Sequence, residues 1–116
     1  MSKSLVDFRR YLDHGNFRAN YRPWIIRHLA LARNHESTLD AMVAAYRDRS
    51  SAKRPLATRF LNEALPRLLD HGIVLTNSPG VFRLNADLSP AEITELVSYC
   101  DRWLQQHAGS GPAKQG

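Results

Sequence analysis

The run Leu68-Leu69-Asp70-His71-Gly72-Ile73-Val74-Leu75-Thr76 constrains this chain more than any other stretch. Leucine-rich, helix-forming residues meet a glycine and then, with no spacer, a β-branched segment. Glycine adopts the left-handed conformation that closes a helix without steric cost, so a helix stops at Gly72 and extended chain begins at Ile73. A second β-prone run, Val81-Phe82-Arg83-Leu84, follows Asn77-Ser78-Pro79-Gly80, which is turn chemistry. The spacing predicts a hairpin of strands 73–76 and 81–84. An isolated hairpin is marginal in water, so this one must rest on neighbouring helices.

Hydrophobic spacing supplies those helices. Leu5, Phe8 and Leu12 share one face of a helix over 5–13, with Ser4 as N-cap, Asp7 in the first turn and Gly15 as its stop. A second helix starts near Pro23 and carries Ile25, Ile26 and Leu29, with Arg22, Arg27 and Arg33 toward solvent. A third opens at Ser37 as N-cap, with Asp40 completing a capping box. Leu39, Met42, Val43 and Tyr46 form its stripe, and the polar run Arg47 to Arg54 ends it. The fourth begins about Pro55 and buries Leu56, Phe60, Leu61, Ala64, Leu65 and Leu68. Pro66 inside it removes a backbone hydrogen bond, which predicts either a kink or a break followed by a short helix 66–71. A last helix starts at Ser89, with Pro90 in its first turn and Glu92 completing a capping box, and ends near His107. Its stripe is Ile93, Leu96, Val97, Cys100 and either Trp103 or Leu104. The expected class is mainly α with a small β-hairpin, in one domain over 1–108. Gly109 to Gly116 read as a flexible tail or linker.

Charge points to a partner. The net charge is +5, and the sixteen basic residues are arginines except for Lys3, Lys53 and Lys114. Arginine suits bidentate contact with phosphates and bases better than lysine does. The positive excess lies in residues 1–86, while 87–116 are net acidic. Arg47, Arg49, Lys53, Arg54 and Arg59 fall close together and are opposed only by Asp48. Such a stripe suits an anionic partner, most often nucleic acid, and equally suits a solvated surface.

Other functions find little support in the residues. A single cysteine, Cys100, excludes an internal disulfide and a multi-cysteine zinc site, and its place on an apolar stripe reads as a buried small hydrophobe. His14, His28, His35, His71 and His107 show no metal-ligand spacing, so no metal or cofactor is expected. No nucleophile–base pair, acid–base carboxylate pair or phosphate loop appears, and the expectation is a protein that is not an enzyme. No apolar run reaches the roughly 18 residues that span a membrane. The N-terminus lacks the apolar segment of a signal peptide, which gives a cytoplasmic expectation. The spacing of Tyr11, Phe17, Tyr21 and Trp24 fits packing better than a stacking platform for single strands, and Tyr21, Trp24 and Tyr46 are the aromatics a flipped-base pocket would draw on.

Helix, helix, glycine stop and immediate hairpin, together with Leu-Leu-Asp-His-Gly-Ile-Val and Pro-Gly-Val-Phe-Arg-Leu, resemble the winged-helix family over residues 20–86. The first and last helices are then additions to a winged helix-turn-helix. The resemblance implies that helix 55–71 enters the major groove of double-stranded DNA. The exposed face of that helix would carry Thr58, Arg59, Asn62, Glu63 and Arg67, with base contacts coming from the first two turns, since Arg reads guanine and Asn reads adenine edges. Arg22, Arg49, Lys53 and Arg54 would hold phosphates, and Arg83 is the wing's one cation. The wing tip is uncharged, unlike the basic tips of members that reach the minor groove. Phe17-Arg18-Ala19-Asn20-Tyr21-Arg22-Pro23 before an apolar helix is similar to N-terminal modules of restriction-type and modification-dependent nucleases. That narrower resemblance implies a module that binds DNA, sometimes at a methylated base, beside a separate fused or partner nuclease domain. The alternative is a winged helix used for protein interaction or dimerisation through helix 89–107, where Tyr99 and Trp103 lie.

Overall fold

The computed structural model describes residues 2–14, 21–50 and 63–108. It is mainly helical, with one small antiparallel sheet. In chain order come α1 (Leu5–His14), α2 (Tyr21–Leu31), a 3-10 turn (Arg33–His35), β1 (Glu36–Thr38) and α3 (Leu39–Ser50). Then follow α4 (Leu65–Asp70), β2 (Val74–Ser78), β3 (Val81–Leu84) and α5 (Pro90–Ala108).

The helix starts are written in hydroxyl and carboxylate side chains. At α1 the Ser4 amide donates to Asp7 Oδ2 (2.9 Å) and the Asp7 amide donates to Ser4 Oγ (3.3 Å). At α5 the Ser89 amide donates to Glu92 Oε1 (3.0 Å) and the Glu92 amide to Ser89 Oγ (3.2 Å). Both reciprocal pairs satisfy amides that the first turn leaves without partners. The third helix departs from expectation. Ser37 lies in β1, paired with Phe82, and its Oγ sits 3.2 Å from His28 Nε2. Thr38 takes the capping role instead, its Oγ1 accepting from the Ala41 amide at 3.1 Å. The helix then runs on to Ser50, because arginine and aspartate do not by themselves break a helix. The second helix opens at Tyr21, ahead of Pro23.

Of the expected helix 55–71, residues 63–71 are described. Wide π-type turns at 63–64 precede α4, which holds Pro66 in its first turn. A proline there costs little, since its missing amide would lack an intrahelical partner anyway. The irregularity expected at Pro66 appears as π-type turns at 63–64 giving way to a short α-helix from Leu65. Its end is a glycine stop: the Gly72 amide donates to the Leu69 carbonyl (3.0 Å) and the Ile73 amide to the Leu68 carbonyl (2.9 Å). Gly72 has φ +70°, the left-handed geometry this cap requires.

The sheet has three strands in the order β1-β3-β2, not the two of a lone hairpin. β1 pairs Glu36, Ser37 and Thr38 with Arg83, Phe82 and Val81. β2 reaches Ser78, so the turn narrows to Pro79-Gly80, with φ +77° at Gly80. Asn77 is an extra residue, because pairing slips between Thr76 and Ser78. Thr76 Oγ1 bridges the bulge, within 3.0 Å of the Ser78 carbonyl and 2.8 Å of the Val81 carbonyl. The Leu39 amide donates to the Gly80 carbonyl (3.3 Å), so the hairpin tip is tied to the start of α3. At the hairpin base, Lys3 bridges to Ala86, which brings the N-terminal segment alongside.

One core joins these elements. Phe8 and Leu12 of α1, Ile25, Ile26 and Leu29 of α2, Met42 of α3, Leu65 and Leu68 of α4, Leu84 of β3, and Leu96, Cys100 and Leu104 of α5 are all buried. α2 is central, with Pro23, Trp24, Ile25, Ile26, Leu29 and Ala30 all buried. It packs most heavily against α5. The apolar stripe of α5 is thus spent inside its own chain, with Ile93, Val97, Tyr99 and Trp103 partly covered against the same core.

Candidate nucleic-acid interface

The residues assigned to DNA contact separate into three groups. Lys53, Arg54, Thr58, Arg59 and Asn62 lie outside the described residues. Arg49 belongs to α3 by its backbone, and its side chain is outside the description as well. Arg22, Arg67 and Arg83 are described in full.

Arg67 stands on the outer face of α4. Ala64, Leu65 and Leu68 are buried on the inner face, while Glu63, Arg67, Asp70 and His71 are exposed. That one-sided burial gives the last turns of the helix a polar face open to a ligand. The charge on it is mixed, however, with two carboxylates beside the arginine.

Arg83 is exposed on the outer face of the sheet. Its cross-strand neighbours are Glu36 on β1 and Leu75 on β2. A carboxylate in register beside it weakens its pull on a phosphate. The tip beyond it is uncharged and held against α3, so the hairpin does not project as a basic arm.

Arg22, the second residue of α2, is half-buried, and its Nη1 donates to Tyr11 Oη at 3.2 Å. The Tyr11 ring in turn lies 5.1 Å from the His71 imidazole, tilted by 57°. His71 closes α4, its amide donating to the Arg67 carbonyl (3.1 Å). The fold therefore brings Arg22 to the same end of α4 that carries Arg67, through a tyrosine and a histidine. Sequence reasoning missed both intermediaries. Tyr11, Arg22 and His71 come from three separate elements, and no local pattern links them.

Other arginines are engaged elsewhere. Arg27 Nε donates to Asp101 Oδ1 at 2.5 Å, pinning α2 to α5, instead of standing in solvent. Arg9 pairs with Glu95 at 3.8 Å, and the guanidiniums of Arg9 and Arg102 lie over the Tyr99 ring at 5.4 and 5.5 Å.

The aromatics Tyr21, Trp24 and Tyr46 pack together. Tyr46 meets Tyr21 and Trp24 edge-on at 5.6 and 5.1 Å, and Trp24 stacks on His28 at 4.9 Å. Trp24 is 3% and Tyr46 8% exposed, so neither offers a face to an extruded base. Burial, and secondarily the Arg27 charge, hold the His28 imidazole below its ordinary pKa, so it is neutral at pH 7. Burial pushes the Cys100 thiol up to about 12, which leaves it unreactive in the fold. Among the described residues no three His, Cys, Asp or Glu side chains group as metal ligands, and no helix is long and apolar enough to cross a membrane.

No protein-family model matches this chain, and no curated protein or solved structure matches it.

Proposed function

We propose that this chain is a double-stranded DNA-binding module of the winged-helix kind. The segment 55–71, which ends in α4, lies along the major groove, with Thr58, Arg59 and Asn62 at base edges. Arg22, Arg49, Lys53, Arg54 and Arg67 contact phosphates, and Arg83 adds least because Glu36 neighbours it. The observation that carries the reading is the pairing of β1 with β3. It fastens the hairpin to the segment between α2 and α3, so that the strands following the glycine stop of α4 are tied to the helices before them. A mainly arginine cationic surface with net charge +5 suits the phosphate backbone. A module of this kind serves a nuclease carried on the same chain or on a partner, and cytosine methylation is the modification to test first.

Fluorescence anisotropy on short duplexes across a salt series tests the proposal, with unmodified and cytosine-methylated duplexes side by side. Binding that falls steeply with salt is expected. Arg59→Ala should cost about 1–3 kcal/mol on the preferred sequence alone, whereas Lys53→Ala should weaken all sequences and reduce the salt slope by about 1. No binding to either duplex at about 50 mM salt, where phosphate contacts are strong, refutes it.

A further inference from the structure

We propose that Tyr11, Arg22 and His71 form a phosphate-binding corner of this DNA interface, in which Tyr11 is the positioning residue for Arg22. The inference rests on the DNA-binding reading and adds Tyr11 and His71 to it. Three elements converge there: α1 brings Tyr11, the first turn of α2 brings Arg22, and the end of α4 brings His71. Arg22 Nη1 donates to Tyr11 Oη at 3.2 Å, and the Tyr11 ring sits 5.1 Å from the His71 ring. Arg67 lies one turn before His71, the residue that closes α4, and both are exposed.

Guanidinium and imidazole N–H groups are donors suited to phosphate oxygens. An arginine already oriented by a phenol loses less side-chain freedom when a phosphodiester arrives, so its contact is stronger than that of a loose surface arginine. The phenol acts through Arg22, and His71 contacts the phosphate directly. Phosphate contacts set orientation and affinity without reading sequence, so the corner contributes equally on every duplex.

The test is anisotropy with a short fluorescein-labelled duplex, using the whole chain and the variants Tyr11→Phe, Arg22→Ala, His71→Ala and Tyr11→Phe/Arg22→Ala. Tyr11→Phe keeps the ring and removes only the hydroxyl, so the fold is expected to survive. It should weaken binding about threefold to tenfold on unrelated sequences alike, and His71→Ala should do the same. Arg22→Ala should cost clearly less in the Tyr11→Phe background than alone, a coupling that a merely structural tyrosine would not produce. Wild-type binding by Tyr11→Phe and His71→Ala, or strictly additive losses, overturns the inference and leaves the DNA-binding reading standing. If the wild-type chain binds no duplex, that reading falls separately and inorganic phosphate decides the corner. Saturable movement of the Arg22 side-chain resonance in 1H–15N spectra, removed by Tyr11→Phe, upholds an anion site, and no movement overturns it.

Discussion

Asn85 is the joint at the base of the hairpin, and its side chain makes a sharp test of how the helix stop is held. It is 8% exposed. Its backbone bonds tie two segments: the Asn85 amide donates to the Ile73 carbonyl, and its carbonyl accepts from the Lys3 amide, both at 2.9 Å. Those survive any side-chain replacement. The Nδ2–H bond to the Gly72 carbonyl, 2.6 Å long, does not. Leaving that partly buried carbonyl unsatisfied costs about 1–3 kcal/mol. At about 2.1 cal/mol/K per residue, 116 residues unfold with an entropy of about 0.24 kcal/mol/K, so Asn85→Ala should lower Tm by about 4–12 °C. Asn85→Asp is the stricter test. An ionised carboxylate has the same shape but only accepts, so it faces the Gly72 carbonyl acceptor to acceptor and should cost more than alanine at pH 7. The aspartate carboxyl donates to Gly72 only when protonated, which raises its folded pKa above the unfolded value of about 3.9. Its favourable bond is therefore fully present below that value and is lost as pH rises through the folded pKa. Thermal melts followed by circular dichroism at pH about 4 and about 7 should show the gap from wild type widening with pH. An Asn85→Asp protein that melts within about 1 °C of wild type at pH 7 would refute the donor role of the amide.

Three further outcomes follow from local geometry. His28 has a folded pKa below its unfolded value, so the unfolded chain takes up the proton first; stability is full above about 6.5 and falls as pH drops through it. His28→Gln should flatten the fall in Tm between pH about 7 and about 5, and an unchanged slope contradicts the assignment. Asn34 and His35 both hold positive φ, at 56° and 57°. Asn34→Gly should raise stability in urea titrations by up to about 1 kcal/mol. His35→Gly should lower it, because the ring bond to the Ala30 carbonyl (3.1 Å) goes with it; a loss in both would contradict this account of the turn. Cys100, with its thiol pushed up to about 12, is about one part in ten thousand thiolate at pH 8. Ellman's reagent should therefore label it only at the rate of unfolding, and prompt labelling of folded protein would show that the thiol is accessible.

Local chemistry explains which elements were legible. The reciprocal caps at Ser4 and Ser89 and the stop at Gly72 depend on residues three or four apart, so their signals survive in the sequence. β1 does not work that way. Three residues are too few to show a period, and Glu36-Ser37-Thr38 reads as easily as a helix cap; only the edge offered by β3 makes it a strand. Ser37 could not cap α3 once its backbone joined that ladder, and Thr38 was the next hydroxyl available. For the candidate interface the sequence offers composition, an excess of arginine over lysine, and not the geometry that sets which arginines share a face. Arg27 looked like a solvent-facing cation until α5 brought Asp101 beside it.

By itself the sequence determined the mainly helical class, the helix–glycine–hairpin junction, the buried stripes of α1 and α5, and the positive charge. These are set by side-chain size, by φ preference and by spacing along one element, and none of them needs a distant partner. Only the tertiary structure decided that the hairpin becomes a three-stranded sheet, that Trp24 and Tyr46 are spent in packing, and that Asn85 locks Gly72. It also decided that Tyr11 meets both Arg22 and His71. Each of those depends on groups far apart in the chain that become neighbours only when burial of a shared core fixes where their elements lie.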